Sequence, residues 1–205
     1  MDRRIIMIAL GALVAGAFAL VHAMGSQTTE QAGAGTFSTK DVGMTAAATS
    51  PQAAAPQISY DFNALPDPVK RMLSKIANAA ESGNIEAMRP VFESNELKPM
   101  VATSYVDDPI AFWKKASADG TGRDILAAML NVLSSGYVKL GQGKDEIFVW
   151  PYFAETDLAK LTPAQEVELY RIVPPDLALA MKKSGKYGYY RFGITPAGVW
   201  QYFLQ

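Results

Sequence analysis

The chain has 205 residues, no cysteine, one histidine and a formal net charge of −1 at pH 7. That balance gives no reason to expect nucleic acid as a partner, and the missing cysteines exclude disulfides, so stability must come from a packed core. The single histidine, His22, falls in the N-terminal apolar segment. The rest therefore lacks both His and Cys, which removes Ser-His-Asp and Cys-His catalysis and the zinc sites built on those ligands.

At the start, Asp2-Arg3-Arg4 is polar and net positive, Ile5 to Val21 is an apolar run, and Val21-His22-Ala23 offers small residues for cleavage. These are the three parts of a secretory signal peptide. Residues 1–23 are thus expected to be an export signal cleaved after Ala23, or an uncleaved inner-membrane anchor. As a helix the run would reach roughly 25 Å, against a hydrocarbon core of about 30 Å. Arg3 and Arg4 hold the start in the cytoplasm either way, so a periplasmic or secreted location is expected for the remainder of the chain. Residues 24–57 are mostly Ala, Gly, Thr, Ser, Gln and Pro, too poor in large apolar side chains to offset ordering entropy, and read as a disordered linker. Residues 58–205 are expected to form a single domain.

Within that domain the spacing predicts a helix opened by Asp67 as N-cap and Pro68, with Val69, Met72, Leu73, Ile76 and Ala80 on its inner face and Gly83 as its stop. Asn84 caps a shorter helix, Ile85 to Phe92, in which Pro90 marks a break. Glu93 to Val106 reads as a surface connection with a short strand near Met100 to Tyr105. Asp108 and Pro109 open the next helix, with Ile110, Phe112 and Trp113 as its apolar side. After a loop from Ala118 to Gly122 comes a central helix, Arg123 to Ser135. Its stripe is Ile125, Leu126, Met129, Leu130 and Leu133, and Gly136 is the expected left-handed stop.

Tyr137 to Leu140 and Glu146 to Phe153 flank Gly141 to Asp145 as a hairpin, with Pro151 at the strand's end. Thr162-Pro163-Ala164-Gln165 is a capping box opening a helix to Arg171. Another helix, Leu177 to Lys183, ends at Gly185. A second hairpin joins Tyr187 to Thr195 and Val199 to Leu204 around Pro196-Ala197-Gly198. Strand alternation puts Tyr190, Phe192 and Ile194 on one face, and Trp200, Tyr202 and Leu204 on one face. The fold class is α+β: a mostly antiparallel, aromatic-rich sheet of about four strands in two hairpins, packed on the central helix.

Asp108 to Ala127 (DPIAFWKKASADGTGRDILA), Val149 to Ala154 (VWPYFA) and Leu161 to Val173 (LTPAQEVELYRIV) together resemble a family of uncharacterised exported proteins from alphaproteobacteria, a likeness that implies no activity. Glu81 to Met88 and the terminal Gly198-Val199-Trp200 resemble the helix turn and final strand of NTF2-like (cystatin-like cone) domains. That resemblance implies a curved sheet wrapped around a helix, from which the two helices between the hairpins depart.

Three groups of residues carry the remaining chemistry. Asp119 and Asp124 flank the glycine loop and are the acid–base candidates of a carboxylate-dependent hydrolase acting on envelope glycans; the plainer account makes Asp119 a turn former and Asp124 a first-turn residue matched to the helix dipole. Gly120, Gly122 and Arg123 are anion-binding candidates at a helix N-terminus. Trp150, Tyr152, Tyr189 and Arg191 are ligand-binding candidates on the aromatic strands, which are otherwise ordinary strand core. Glu166 and Glu168, two apart on a helix, do not face each other. No cofactor or metal is expected. The leading expectation is non-enzymatic binding of an envelope partner protein, polymer or small ligand.

Overall fold

The computed structural model describes residues 56–205; the expected export segment, and the linker up to residue 55, lie outside them. The first described element is one that sequence pattern does not announce. Ile58–Ser59 forms a two-residue strand, β1, antiparallel to the first hairpin. A single turn at Phe62–Ala64, capped by Asp61, leads to α1, Asp67–Glu81, which buries Val69, Met72, Leu73, Ile76, Ala79 and Ala80. The N-cap of α1 is Pro66, and its side chain can accept nothing, so Asp67 is the first helical residue rather than the cap. Its carboxylate pairs with Lys70 at 2.8 Å instead.

Gly83 turns the chain with φ of +67°. Asn84 caps a tight turn, Ile85–Met88, through the N–H of Glu86, and that turn runs into α2, Arg89–Glu93, with Pro90 in its first turn. Pro90 lacks an N–H and therefore resets the helix here instead of continuing it. Asp108 accepts the N–H groups of Ile110 and Ala111 at the start of α3, Pro109–Ala116, as expected. The central helix α4, Arg123–Leu133, buries Ile125, Leu126, Ala128, Met129, Val132 and Leu133 and lies against α1.

The sheet is antiparallel throughout and follows chain order, β1-β2-β3-β4-β5. β2, Tyr137–Leu140, pairs Val138 with Val149 of β3, Ile147–Trp150. The strand stops at Trp150 because Pro151 comes next, and Tyr152–Glu155 is a tight helical turn, so Tyr152 and Phe153 are not strand residues. The capping box at Thr162 and Gln165 opens α5, Pro163–Ile172. Next, α6, Pro175–Ser184, ends on left-handed Gly185.

β4, Arg191–Ile194, pairs with both β3 and β5, Trp200–Leu204. The last pairing departs from simple alternation: the register steps from Gly193–Tyr202 to Ile194–Trp200, leaving Gln201 as the extra residue of a bulge. A bulge shifts the face by one residue, so Trp200 and Phe203 both point into the core, and Tyr202 and Leu204 are only partly buried. The expected common face of Trp200, Tyr202 and Leu204 is corrected accordingly. Tyr202 lies instead across Gly193, where a Cβ would stand 2.3 Å from its ring.

The inner face of β4 and β5 meets α2 and α3 through aromatic rings. Phe92 stacks on Trp200 at 5.2 Å and lies tilted against Trp113 at 5.3 Å, while Trp113 meets Phe203 edge-on at 5.9 Å. Among the described residues no helix is long and apolar enough to cross a membrane.

Candidate functional site

Two stretches far apart in sequence, residues 95–100 and 200–203, meet at the outer edge of β5. After α2, the side chain of Asn95 imitates a neighbouring strand: its amide donates to the carbonyl of Trp200 at 2.8 Å and accepts the N–H of Trp200 at 2.9 Å. Five residues on, Met100 donates its N–H to Gln201 and accepts from Phe203, at 2.9 and 2.8 Å. The expected strand at Met100 to Tyr105 thus reduces to one parallel bridge, Met100 to Tyr202. That bridge and the Asn95 amide occupy polar groups of an edge that would otherwise be open.

Pinned in this way, residues 94–108 stand away from α2 and the start of α3 and leave a cleft of about 420 Å³. Its apolar walls are Phe92, Pro109 and Ile110, and its charged walls are Arg89, Glu93, Lys98, Asp107 and Asp108. Phe92 is half-buried and ties the cleft to the aromatic core. Leu97, Met100 and Tyr105, on the same connection, are 58 %, 53 % and 83 % exposed.

The charges of this region are not equally available. The Arg89 guanidinium bonds Glu86 at 3.0 Å and approaches Asp108 at 3.6 Å, and Lys114 reaches Glu86 at 2.6 Å. Contact with Lys114, then Arg89, holds the Glu86 carboxyl below its ordinary range. The N–H of Ala111, then that of Ile110 and the charge of Arg89, does the same for Asp108. Lys98 donates to the carbonyl of Asp107 at 2.7 Å and sits 5.9 Å over the Tyr105 ring. Glu93 and Asp107 have no ion-pair partner among the described residues. The N-cap bonds of α3 go to Asp108, and among the described residues the Asp107 carboxylate accepts only from Tyr105, at 3.3 Å.

The loop before α4 is built differently. Ser117 donates towards Asp124 at 2.6 Å and Asp119 at 3.0 Å, and its oxygen accepts the buried N–H of Gly122 at 3.0 Å. Asp119 also accepts the N–H and hydroxyl of Thr121, and Asp124 accepts the N–H of Ala118. The N–H of Gly120 goes to Ser117 and that of Arg123 to Thr121. The backbone N–H groups that a bound anion would need at Gly120, Gly122 and Arg123 are therefore already used inside the loop, and both carboxylates brace it. The bonds from Thr121 hold Asp119 below the ordinary carboxylate range. Burial pushes Asp124 up, but the bonds from Ser117 and Ala118 outweigh it and leave it low.

Carboxylates with lowered folded values add stability that is complete above their unfolded values and is lost as pH falls through the folded ones. For Glu86, Asp108, Asp119 and Asp124 that window lies below about pH 4. Urea midpoints are expected to be flat from about pH 7 to pH 5 and to fall between about pH 4 and pH 2. In Asp124→Asn the acid slope is expected to be shallower; an unchanged slope contradicts this account of the loop.

Of the four aromatic-strand candidates, Trp150 and Tyr152 are fully buried and present no surface to a ligand. The Trp150 ring lies 5.1 Å from Tyr137, and its indole N–H donates to nothing among the described residues. Tyr189 is partly buried against Tyr190, and Arg191 is exposed. They form no joint site with Trp150 and Tyr152. The strand period favours these residues as outward aromatics, but Pro151 and the tight turn after it direct Tyr152 inward.

Tyr152 belongs to a clasp. Its hydroxyl and that of Tyr60 donate to one oxygen of Glu168, at 3.0 and 2.7 Å, and the N–H of Gly136 donates to the other at 3.3 Å. Burial, then the neighbouring carboxylate, raises the Tyr60 phenol, and burial chiefly raises Tyr152, so both stay protonated donors. Gly136 is not the left-handed stop of α4: its φ is not among the positive ones. Glycine is favoured there because a Cβ would stand 2.9 Å from the Tyr60 ring and 3.1 Å from Tyr152. Gly136→Ala is expected to eject the exposed Tyr60 ring and cost about 1–3 kcal/mol. Adding Tyr60→Phe should then cost little more, because the bond is already broken. Additive losses in urea melts contradict the clasp.

No group of three potential metal ligands forms among the described residues. Comparison with protein-family models, with curated proteins and with solved structures finds no match to this chain.

Proposed function

We propose that the domain is an exported, non-enzymatic binding module whose cleft between α2, residues 94–108 and the start of α3 holds a basic, partly apolar segment of an envelope partner protein. One observation carries this reading: the cleft combines the half-buried Phe92, backed by the buried Pro109 and Ile110, with two carboxylates, Glu93 and Asp107, that form no ion pair among the described residues. A lysine or arginine side chain fits that arrangement, its aliphatic stem on the floor and its head between the carboxylates. The volume falls within the range of sites that bind small ligands and side chains. Leu97, Met100 and Tyr105 extend the apolar contact beyond the rim.

Among the candidate acids, Asp119 and Asp124 are engaged in loop bonds, which supports binding over hydrolysis. Calorimetric titration with acetyl-Leu-Lys-Leu-amide, and with its acidic counterpart acetyl-Leu-Glu-Leu-amide, tests the reading. The basic peptide is expected to bind and the acidic one not. Glu93→Gln and Asp107→Asn should each weaken binding about threefold to tenfold. Equal binding of both peptides, or no loss in either variant, removes the proposal.

A further inference from the structure

We propose that the outer face of α5 and α6 is a contact for an anionic lipid surface, separate from the cleft. An amphipathic helix of a folded domain normally turns apolar residues inward and polar ones outward, yet both helices are apolar on both sides. Inside, α5 buries Leu169 and Ile172, and α6 buries Ala178 and Met181. Outside, Val167, Tyr170 and Leu179 are 64 %, 38 % and 55 % exposed. Along α5 the outward series Pro163, Val167 and Tyr170 recurs at helical spacing, and every member is exposed.

Basic residues stand on the same two helices and just after them. Arg171, Lys183 and Lys186 are exposed and have no ion-pair partner among the described residues. Lys182 pairs with Glu166 at 2.6 Å and sits 5.9 Å from the Tyr170 ring. Two carboxylates remain on the helices: Asp176 is exposed, and Glu168 is turned to Tyr60 and Tyr152. The near-zero charge of the whole chain thus conceals a local positive excess here.

Two short helices with an apolar outer stripe, a tyrosine and flanking lysines match a surface that lies in the interfacial plane of a bilayer, with lysine stems in the boundary and ammonium groups at anionic headgroups. The cleft has the opposite bias, with free carboxylates. Charge complementarity therefore assigns the helical face to lipid.

The absence of cysteine allows a single label to report on each face of the full chain. Ala180→Cys on α6 and, as a control, Ser104→Cys beside the cleft are each given an environment-sensitive fluorophore. Each protein is mixed with vesicles of phosphatidylglycerol and phosphatidylethanolamine containing spin-labelled lipid, and separately with phosphatidylcholine vesicles. Whatever the N-terminal segment does in lipid is common to both labels. The label at position 180 is expected to be quenched in anionic vesicles, far less in phosphatidylcholine, and less at high salt, while the label at 104 is not. Quenching should fall about fivefold or more in Val167→Asp/Leu179→Asp, with unchanged thermal melts showing that the variant is folded. Equal quenching at both positions, equal quenching in both lipids, or a concentration-dependent change at 180 without lipid, which would mark a second protein copy there, overturns the proposal.

Discussion

Trp113→Ala is expected to destabilise the domain by about 3–5 kcal/mol, the usual range for deleting a buried tryptophan, and to abolish binding in the cleft. Trp113 is 1 % exposed and closes the aromatic group that joins the short helices to the sheet. Its ring lies 5.3 Å from Phe92, 6.4 Å from Trp200 and 5.9 Å from Phe203. α3 is a short helix whose buried residues are Pro109, Ile110 and Trp113, so no neighbour on it can fill the space. Phe92, the cleft floor, would lose the ring behind it and keep only its stack on Trp200. The half-buried Phe112 provides the comparison: Phe112→Ala should cost clearly less. Urea unfolding of the two variants checks the expectation, and equal losses would show that the aromatic group does not hold α3 to the sheet.

Gly198→Ala carries the next largest expected effect. Gly198 stands at φ of +83° in the turn between β4 and β5, and a Cβ there would lie 2.6 Å from the carbonyl oxygen of Pro68 and 2.8 Å from its carbon. Both obstructing atoms are backbone at the start of α1, which cannot swing aside as a side chain can. The left-handed conformation costs an alanine about 1 kcal/mol or slightly more, and forced overpacking adds about 1–3 kcal/mol. The total expected is about 2–4 kcal/mol. Gly143→Ala isolates the conformational part, because Gly143 has φ of +60° with nothing within 4 Å. A clear gap between the two variants in a denaturant melt supports the packing of the second hairpin on α1; equal losses contradict it.

Local chemistry makes much of the fold legible. Asp108 before Pro109, the capping box at Thr162 and Gln165, the glycines after β2 and Gly185 after α6 each act within a few residues, and the structure keeps all four. The features that are not legible depend on partners distant in the chain. β1 is two residues long, too short for any period to register. The bulge at Gln201 breaks the alternation on which the expected face of β5 rests, and no turn residue marks it. Gly136 resembles a helix stop because glycine comes directly after the apolar stripe, whereas its small size is needed for two rings, one of them from residue 60. Glu168 invites comparison only with Glu166 on its own helix, yet its partners come from the segment after β1, from Gly136 before β2 and from the turn after β3.

The candidate site shows the same division. Asp107 and Asp108 are adjacent and both suit a capping role; one caps and the other faces the cleft. Glu93, Lys98 and Asp107 come together only because Asn95 and Met100 fasten the connection to β5, an arrangement with no local signature. The glycine loop, by contrast, carries conspicuous residues, and its hydrogen bonds are spent on its own shape. Conspicuous composition therefore marks the brace, and the irregular connection makes the cleft.

The cleft is proposed to receive a basic side chain. Amide chemical shifts of the isotopically labelled protein, followed while acetyl-Leu-Lys-Leu-amide is added, test it most directly. Saturable shifts are expected at Phe92, Glu93, Lys98, Asp107 and Ile110, with none at Arg171 or Lys183 and none anywhere with acetyl-Leu-Glu-Leu-amide. Shifts confined to other surfaces, or a stronger response of the cleft residues to the acidic peptide, would contradict the proposal.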